Sequence, residues 1–142
     1  MVWLERLSQC QVLRNNSVFQ LRYHLVLVTK YRRPVLNEEM RDRLREIFSN
    51  LLDTWRCELI EFGGEEDHIH LLIEAHPAMD LSRMINNLKT VSSRRIRKQF
   101  PEQVAKYYWK PVFWHSAYFI GSVGGATLDT VRKYVESQGE KL

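Results

Sequence analysis

The stretch CELIEFGGEEDHIHLLIEAH, residues 57–76, contains two runs of β-forming residues joined by a short link rich in glycine and glutamate. This pattern predicts a β-hairpin with strands at about 57–64 and 67–76. Side chains alternate along a strand, so His68 and His70 are predicted to share one face. Ile69, Leu71 and Ile73 then point to the opposite face, as expected for a strand with one buried side.

The segments on either side of the hairpin also carry regular patterns. The predicted elements are, in order, a strand at 19–29, a helix capped by Asn37, the hairpin, a helix capped by Asp80 that ends shortly before Pro101, a strand at 112–123 and a last helix capped by Thr127. The β-α-β-β-α-β-α order predicts an α+β fold of the ferredoxin-like or RRM-like type: a split β-α-β antiparallel sheet with helices on one face and an additional C-terminal helix. We expect a single domain over residues 1–142 with its core at about 19–138.

The composition limits the class of protein. The chain has 142 residues and a formal charge of +4, which permits polyanion binding without establishing it. The two cysteines, Cys10 and Cys57, support neither a disulfide framework nor a cysteine zinc site. There is no apolar run of ~20 residues and no signal-peptide pattern. We therefore expect a soluble, cytoplasmic protein that does not enter a membrane.

The histidine pair suits metal binding. Residues i and i+2 of a strand lie ~7 Å apart, so both imidazoles can approach one ion or phosphate. The alternative is two polar side chains on the wet face of a strand, and the motif alone does not decide between them. On the predicted last helix, Tyr134 and Gln138 are four residues apart and share a face, where they could supply a nucleophile and an oxygen ligand. Spacing alone favours an ordinary amphipathic helix with a solvated glutamine.

Two basic clusters and an aromatic segment could bind nucleic acid. The clusters are Lys30, Arg32 and Arg33 after the first strand, and Lys89, Arg94, Arg95, Arg97 and Lys98 on or beyond the second helix. They could neutralise phosphates or could form solvated faces. The seven aromatic residues within 107–119 could stack on bases, although we expect most of them to pack in the core. Gly124 and Gly125 could be a hinge before the last helix or an ordinary tight turn.

Several blocks together resemble one family. HIHLLIE and YVESQ, with YHLVLVTKYRRPVL, LKTVSSRRIR and WHSAYFIGSVGG, occur in the order found in the single-tyrosine HUH transposases (TnpA type) of small single-stranded-DNA insertion sequences. The resemblance extends from about residue 19 to residue 138. It implies that His68 and His70 bind a metal, that Tyr134 is the nucleophile and that Gln138 is the third ligand.

The resemblance also implies an activity and partners. The enzyme would use Mg or Mn to cleave and rejoin single-stranded DNA, a nucleoid-associated substrate, through a 5′-phosphotyrosine intermediate. It would recognise DNA hairpins at the element ends and act as a homodimer with composite active sites. The alternatives are an HUH replication or mobilisation nickase, a domesticated relative, or, more remotely, a non-enzymatic nucleic-acid-binding module. A histidine-triad nucleotide hydrolase is disfavoured because its third histidine would fall at Leu72. Compact size and one tyrosine favour the transposase.

Overall fold

A computed structural model describes residues 21–76, 78–123 and 134–138 of the chain. Its elements are β1 (Leu21–Val28), a short 3-10 turn (Lys30–Arg32), α1 (Glu38–Thr54), β2 (Glu58–Gly64), β3 (His68–Ala75), α2 (Leu81–Gln99), α3 (Pro101–Ala105) and β4 (Phe119–Ser122). Residues 134–138 are also helical. The remainder of the predicted last helix, with its cap Thr127, lies outside the described residues.

The four strands form one antiparallel sheet in the order β2-β3-β1-β4. β3 lies between β1 and β2, which are joined through α1, and this arrangement is the split β-α-β plan. The predicted α+β fold is therefore confirmed for the sheet and its two long helices.

The core lies between one face of the sheet and the helices. Leu25 and Leu27 of β1 and Ile69 and Leu71 of β3 are fully buried there, together with Phe48 of α1. Burying a side chain of this size contributes roughly 1.5–3 kcal/mol. The alternation in β3 therefore decides which sheet face the helices cover, and it leaves the histidines on the other face.

Both long helices begin where their capping residues predict. The Asn37 side chain accepts a hydrogen bond from the Met40 backbone N–H at 2.8 Å, and the Asp80 side chain accepts one from the Arg83 N–H at 3.2 Å. Each cap satisfies a backbone donor that has no partner within its helix. None of the helices in the described part of the chain is long and apolar enough to cross a membrane.

The region after α2 differs from the prediction. The strand predicted at 112–123 is reduced to Phe119–Ser122, preceded by one isolated bridge between Trp114 and Thr29. The physical reason is that Phe113 and Trp114, although adjacent, are both buried in the core on the helix side, which a strand with alternating side chains does not allow. The unpredicted helix α3 starts at Pro101, a residue suited to the first helical position.

The sheet face opposite α1 and α2 carries the histidines. In the antiparallel register His68 pairs with Val28 and His70 with Val26, while Phe119 of β4 pairs with Val26 on its other side. Directly paired residues project to the same face. Two valines of β1 therefore lie between the histidines of β3 and the aromatic ring of β4.

Candidate functional site

The two histidines lie side by side at the start of β3. Their ring centroids are 6.4 Å apart and their planes differ by 29°. His70 is exposed at the surface, but partial desolvation, reinforced by the nearby His68, lowers its pKa below the ordinary value. His70 is consequently a neutral imidazole at pH 7, with a nitrogen lone pair available to a cation.

A carboxylate fixes the orientation of His68. The Asp67 Oδ1 atom is 2.9 Å from His68 Nδ1, and Arg32 Nε donates to Asp67 Oδ2 at 2.6 Å. The hydrogen bond with His68 and the Arg32 guanidinium lower the pKa of Asp67, so this carboxyl is ionised at neutral pH. Because an ionised carboxylate only accepts hydrogen bonds, it favours the tautomer of the His68 ring in which Nδ1 carries the hydrogen and Nε2 carries the free lone pair.

A glycine makes room for the His70 ring. Gly63 of β2 pairs directly with His70. A Cβ atom built on Gly63 would lie 2.7 Å from His70 Nε2 and 2.8 Å from Cε1, closer than side chains tolerate. The absence of a side chain at Gly63 therefore allows His70 its observed position.

The helical segment at residues 134–138, which we call the tyrosine segment, packs on the histidine-bearing face of the sheet. Val135 is buried against Val26 and Val28, the β1 partners of the histidines. The ring of Tyr134 packs on Phe119 with centroids 5.5 Å apart. The fold thus brings this segment and the histidines, which are some sixty positions apart in the sequence, to one surface.

Two polar atoms of the tyrosine segment are buried without partners. Among the described residues, the buried side-chain oxygen and nitrogen atoms that lack a hydrogen bond are the Tyr134 hydroxyl and Gln138 Oε1. Leaving such a group unsatisfied costs about 1–3 kcal/mol. Burial also raises the pKa of Tyr134 above its ordinary value, so the phenol is protonated at neutral pH. An unsatisfied buried polar group of this kind calls for a specific explanation.

A further group of possible metal ligands lies next to the two histidines. Oxygen or nitrogen atoms of Glu65, Asp67 and His68 all lie within 4.8 Å of one another. However, Asp67 already accepts from Arg32 with one oxygen and interacts with His68 through the other. A cation at this cluster would have to displace those partners.

The predicted DNA-binding residues divide into separate groups. Lys30, Lys89 and Arg97 line one groove of about 330 Å³ at the end of β1, next to buried Trp114. The Lys89 ammonium donates to the carbonyl oxygens of His115 and Ser116 at 2.9 and 2.8 Å, and burial lowers its pKa. Lys89 thus anchors the chain before β4.

The other predicted basic residues lie outside this groove lining. Arg32 interacts with Asp67, whereas Arg33 and Arg94 are exposed. Arg95, which is partly buried, and Lys98, which is exposed, lie on α2. Gly124 and Gly125, the predicted hinge, lie outside the described residues.

Gly63 and Arg32 receive no role at the site from the sequence, and for Asp67 the sequence favours a structural role over support of the histidines. Asp67 directly precedes the first histidine, Gly63 lies near the end of the first hairpin strand, and Arg32 is grouped with the DNA-binding residues. The adjacency of Asp67 and His68 was a usable signal, because a carboxylate next to a candidate metal-binding histidine commonly orients it. The roles of Gly63 and Arg32 depend on cross-strand pairing and loop contacts, which the linear sequence does not display.

Comparison with known proteins identifies the family. The family model described as "Transposase IS200 like" matches residues 17–138. The chain is 35% identical over 124 residues to the ISDra2 transposase TnpA of Deinococcus radiodurans, covering 87% of this chain and 88% of that protein. This chain belongs to the IS200-like transposases. The resemblance inferred from the sequence blocks is therefore confirmed.

Two further similarities agree with this assignment. The transposase for insertion sequence element IS200 of Salmonella typhimurium is 32% identical over 120 residues, covering 84% of this chain and 78% of that protein. A crystal structure of a protein from Deinococcus radiodurans R1 superimposes with a TM-score of 0.78 at 31% identity, covering 85% of this chain and 92% of that one. The IS200-like transposase is accordingly a DNA-cleaving enzyme of a family whose members are in general metal-dependent.

Proposed function

We propose that this transposase cleaves and rejoins single-stranded DNA at insertion-sequence ends, with Tyr134 as the nucleophile. The observation that carries the proposal is the pair of unsatisfied atoms, the Tyr134 hydroxyl and Gln138 Oε1, on the sheet face that bears His68 and His70. A purely structural helix would either satisfy these buried groups or expose them to water. In the proposed reaction, Gln138 Oε1 binds the cation and the Tyr134 hydroxyl attacks the DNA phosphate.

A divalent cation, Mg or Mn, fits the donor set on this face. His68 Nε2, a nitrogen of His70 and Gln138 Oε1 would hold it. When bound, the cation supplies Lewis-acid polarisation of the scissile phosphate. Imidazole and amide ligands bring no negative charge of their own, so a cation held by them would keep its positive charge for an incoming phosphate.

The proposed chemistry is a transesterification. Tyr134 Oη forms a bond to phosphorus while the bond between phosphorus and the 3′ oxygen breaks. The tyrosine then carries the 5′ phosphate, and the departing 3′ oxygen takes up a proton. Because burial raises the pKa of Tyr134, the resting phenol is protonated and has to give up its proton for the attack to occur. The reverse attack by a 3′ hydroxyl restores the phosphodiester without ATP.

The groove at the end of β1 is our proposed path for the DNA backbone. Lys30, Lys89 and Arg97 line it, and Lys30 is two residues beyond Val28, the strand partner of His68. Phosphates here would relieve the repulsion between the two lysines, which contributes to the lowered pKa of Lys89. We assign recognition of hairpin ends to this groove and to the exposed Arg94 of α2.

We further propose a homodimer with composite active sites. In the single chain the contacts of the tyrosine segment with its own subunit include the buried Val135, the Tyr134–Phe119 ring contact and the longer contact of Arg32 with the Glu136 carbonyl. The same contacts could form on the identical sheet of a second copy, as in a domain swap. Each active site would then combine the histidines of one subunit with Tyr134 of the other.

Adduct formation tests the chemistry. The protein is mixed with end-labelled single-stranded DNA carrying its element end and Mn²⁺ or Mg²⁺, and a denaturant-resistant adduct is sought on a gel. Tyr134→Phe should abolish the adduct, whereas Tyr107→Phe, a partly buried tyrosine on the opposite face, should retain it. Persistence of the adduct in Tyr134→Phe would assign the nucleophile elsewhere.

Metal affinity tests the ligand set. Mn²⁺ binding should weaken strongly in His70→Ala and Gln138→Ala and remain unchanged in Glu65→Ala, which alters only the neighbouring carboxylate cluster. If Mn²⁺ binding instead weakened in Glu65→Ala and stayed unchanged in His70→Ala and Gln138→Ala, the cation would belong to the cluster of Glu65, Asp67 and His68.

Complementation tests the composite site. Tyr134→Phe and a His68→Ala, His70→Ala variant are each inactive on this proposal. If each active site takes residues from both subunits, up to half of the active sites in mixed dimers should regain cleavage activity. Failure of mixed dimers to cleave would place each site within one subunit.

A further inference from the structure

Arg32 contacts both halves of the candidate site. Its Nε atom donates to Asp67 at 2.6 Å, and Asp67 in turn holds the Nδ1 atom of His68. Its Nη1 atom lies 3.5 Å from the backbone carbonyl oxygen of Glu136, between Tyr134 and Gln138 in the tyrosine segment. One guanidinium is therefore connected to the histidine side of the site and, by a longer contact, to the nucleophile side.

We propose that Arg32 is a positioning residue that fixes His68 through Asp67 and holds the tyrosine segment against the sheet. The inference rests on the proposed roles of His68 and Tyr134. A guanidinium is suited to this role because its five N–H donors point in fixed, different directions and can serve two partners at once. A lysine ammonium at the same position could not span both partners.

The backbone that presents Arg32 is strained. Tyr31 and Arg32 have φ values of 58° and 51°, in the left-handed region that non-glycine residues rarely adopt. Such strain, of order 1–3 kcal/mol per residue, persists only where the surroundings enforce it. A turn without this conformation would direct the Arg32 side chain elsewhere.

A buried threonine enforces the turn. Thr29 is fully buried, and its hydroxyl lies 2.7 Å from the carbonyl oxygen of Arg33 and 3.1 Å from that of Asp67. Its backbone N–H also donates to the Asp67 carbonyl at 3.0 Å, and the Arg32 N–H donates to the Thr29 carbonyl at 2.9 Å. The turn bearing Arg32 and the loop bearing Asp67 are thus joined at one residue.

The same contacts weigh against a role for Arg32 as a free phosphate contact. The Arg32 side chain is 32% exposed and that of Asp67 19%. The Asp67 carboxylate already neutralises much of the guanidinium charge. A DNA phosphate would have to compete with this ion pair.

Arg32→Lys and Arg32→Ala test the proposal, with Arg43→Ala as a matched control. Arg43 lies on α1 and interacts with Gln99 and Glu46, away from the histidine-bearing face. Three quantities are measured: Mn²⁺ affinity of the DNA-free protein, single-turnover adduct formation at saturating DNA, and DNA affinity as a function of salt. Unfolding midpoints are recorded for every variant, and Arg32→Lys keeps the charge should Arg32→Ala fail to fold.

We expect Arg32→Lys to lose about tenfold or more in Mn²⁺ affinity and adduct rate, as for other residues that orient a metal ligand. Its DNA affinity and salt slope should stay within about twofold because the charge remains. Combining Arg32→Ala with Asp67→Ala should lower Mn²⁺ affinity by less than the two single losses together, since one residue acts through the other.

Three outcomes would overturn the proposal. Wild-type behaviour of Arg32→Lys in all three measurements would show that the planar guanidinium, with its fixed N–H directions, is not needed. A loss confined to DNA affinity and its salt slope would make Arg32 a phosphate contact. Additive losses of Mn²⁺ affinity in the double variant would show that Arg32 does not act through Asp67. By contrast, failure of the wild type to form an adduct through Tyr134 would count against the proposed function, while the Mn²⁺ measurements would still test the link from Arg32 to His68.

Discussion

Replacing Gly63 by alanine should impair the metal site with little effect on the fold. A Cβ atom at this position would lie 2.7 Å from His70 Nε2, whereas ordinary contact begins at 3.4 Å. The imidazole must therefore move by about 0.7 Å. It is the end of a rotatable side chain, so it can turn at a cost of roughly 0.5–1.5 kcal/mol. Alanine recovers about 0.5–1 kcal/mol relative to glycine within a strand, so the free energy of unfolding should change by less than ~1 kcal/mol.

The functional effect of this small displacement should be large. A shift of this size at a reacting centre can cost ~100-fold in rate, so Gly63→Ala should lose about 10–100-fold in single-turnover adduct formation. Mn²⁺ affinity, measured by titration calorimetry, should fall in parallel. Glu58→Ala is the matched control, because it places alanine on the same strand at an exposed site away from His70. Normal Mn²⁺ affinity and adduct rate in Gly63→Ala would refute the placement of His70 at the site.

Four further predictions concern the fold and the groove. Asn37→Ala should lower the free energy of unfolding by about 1 kcal/mol through loss of the α1 cap, and urea titration would reject the cap if nothing changed. Phe48→Ala should cost roughly 3–5 kcal/mol in the same assay because the ring is fully buried, and a loss below 1 kcal/mol would contradict that burial. Arg97→Ala should reduce the slope of log affinity for single-stranded DNA against log salt by about 0.7, whereas an unchanged slope would remove Arg97 from the DNA path. Burial raises the pKa of Tyr108 to about 12 from 10.0, so the wild type should lose stability between these pH values, and Tyr108→Phe, which does not ionise, should lose less there.

Much of the fold could be predicted from local patterns. The capping residues Asn37 and Asp80 and the apolar faces that follow them predict α1 and α2, because capping and periodicity act within one helix. Alternation in β3 predicts its two faces for the same reason. The predicted fourth strand is longer than the observed one. The burial of the adjacent Phe113 and Trp114 depends on how α2 packs, and no local pattern in the sequence indicates that packing.

The candidate site likewise has one part that local sequence patterns predict and one part that they do not. His68 and His70 could be placed on one face because their relation is fixed by two residues of strand geometry. The pairing of Tyr134 with them came from resemblance to a family, because spacing alone favoured an ordinary amphipathic helix. Contacts between such distant segments depend on the assembled sheet.

The sequence by itself determined the hairpin, the capped helices and the shared face of the two histidines, since each follows from interactions between near neighbours in the chain. Tertiary structure alone decided that Gly63 leaves room for His70, that Arg32 reaches Asp67 instead of remaining a free cation, and that two polar atoms of the tyrosine segment are buried without partners. These features depend on cross-strand register and on loops meeting in space. The physical reason is that van der Waals exclusion and hydrogen bonding act over a few ångströms, whatever the separation of the residues along the chain.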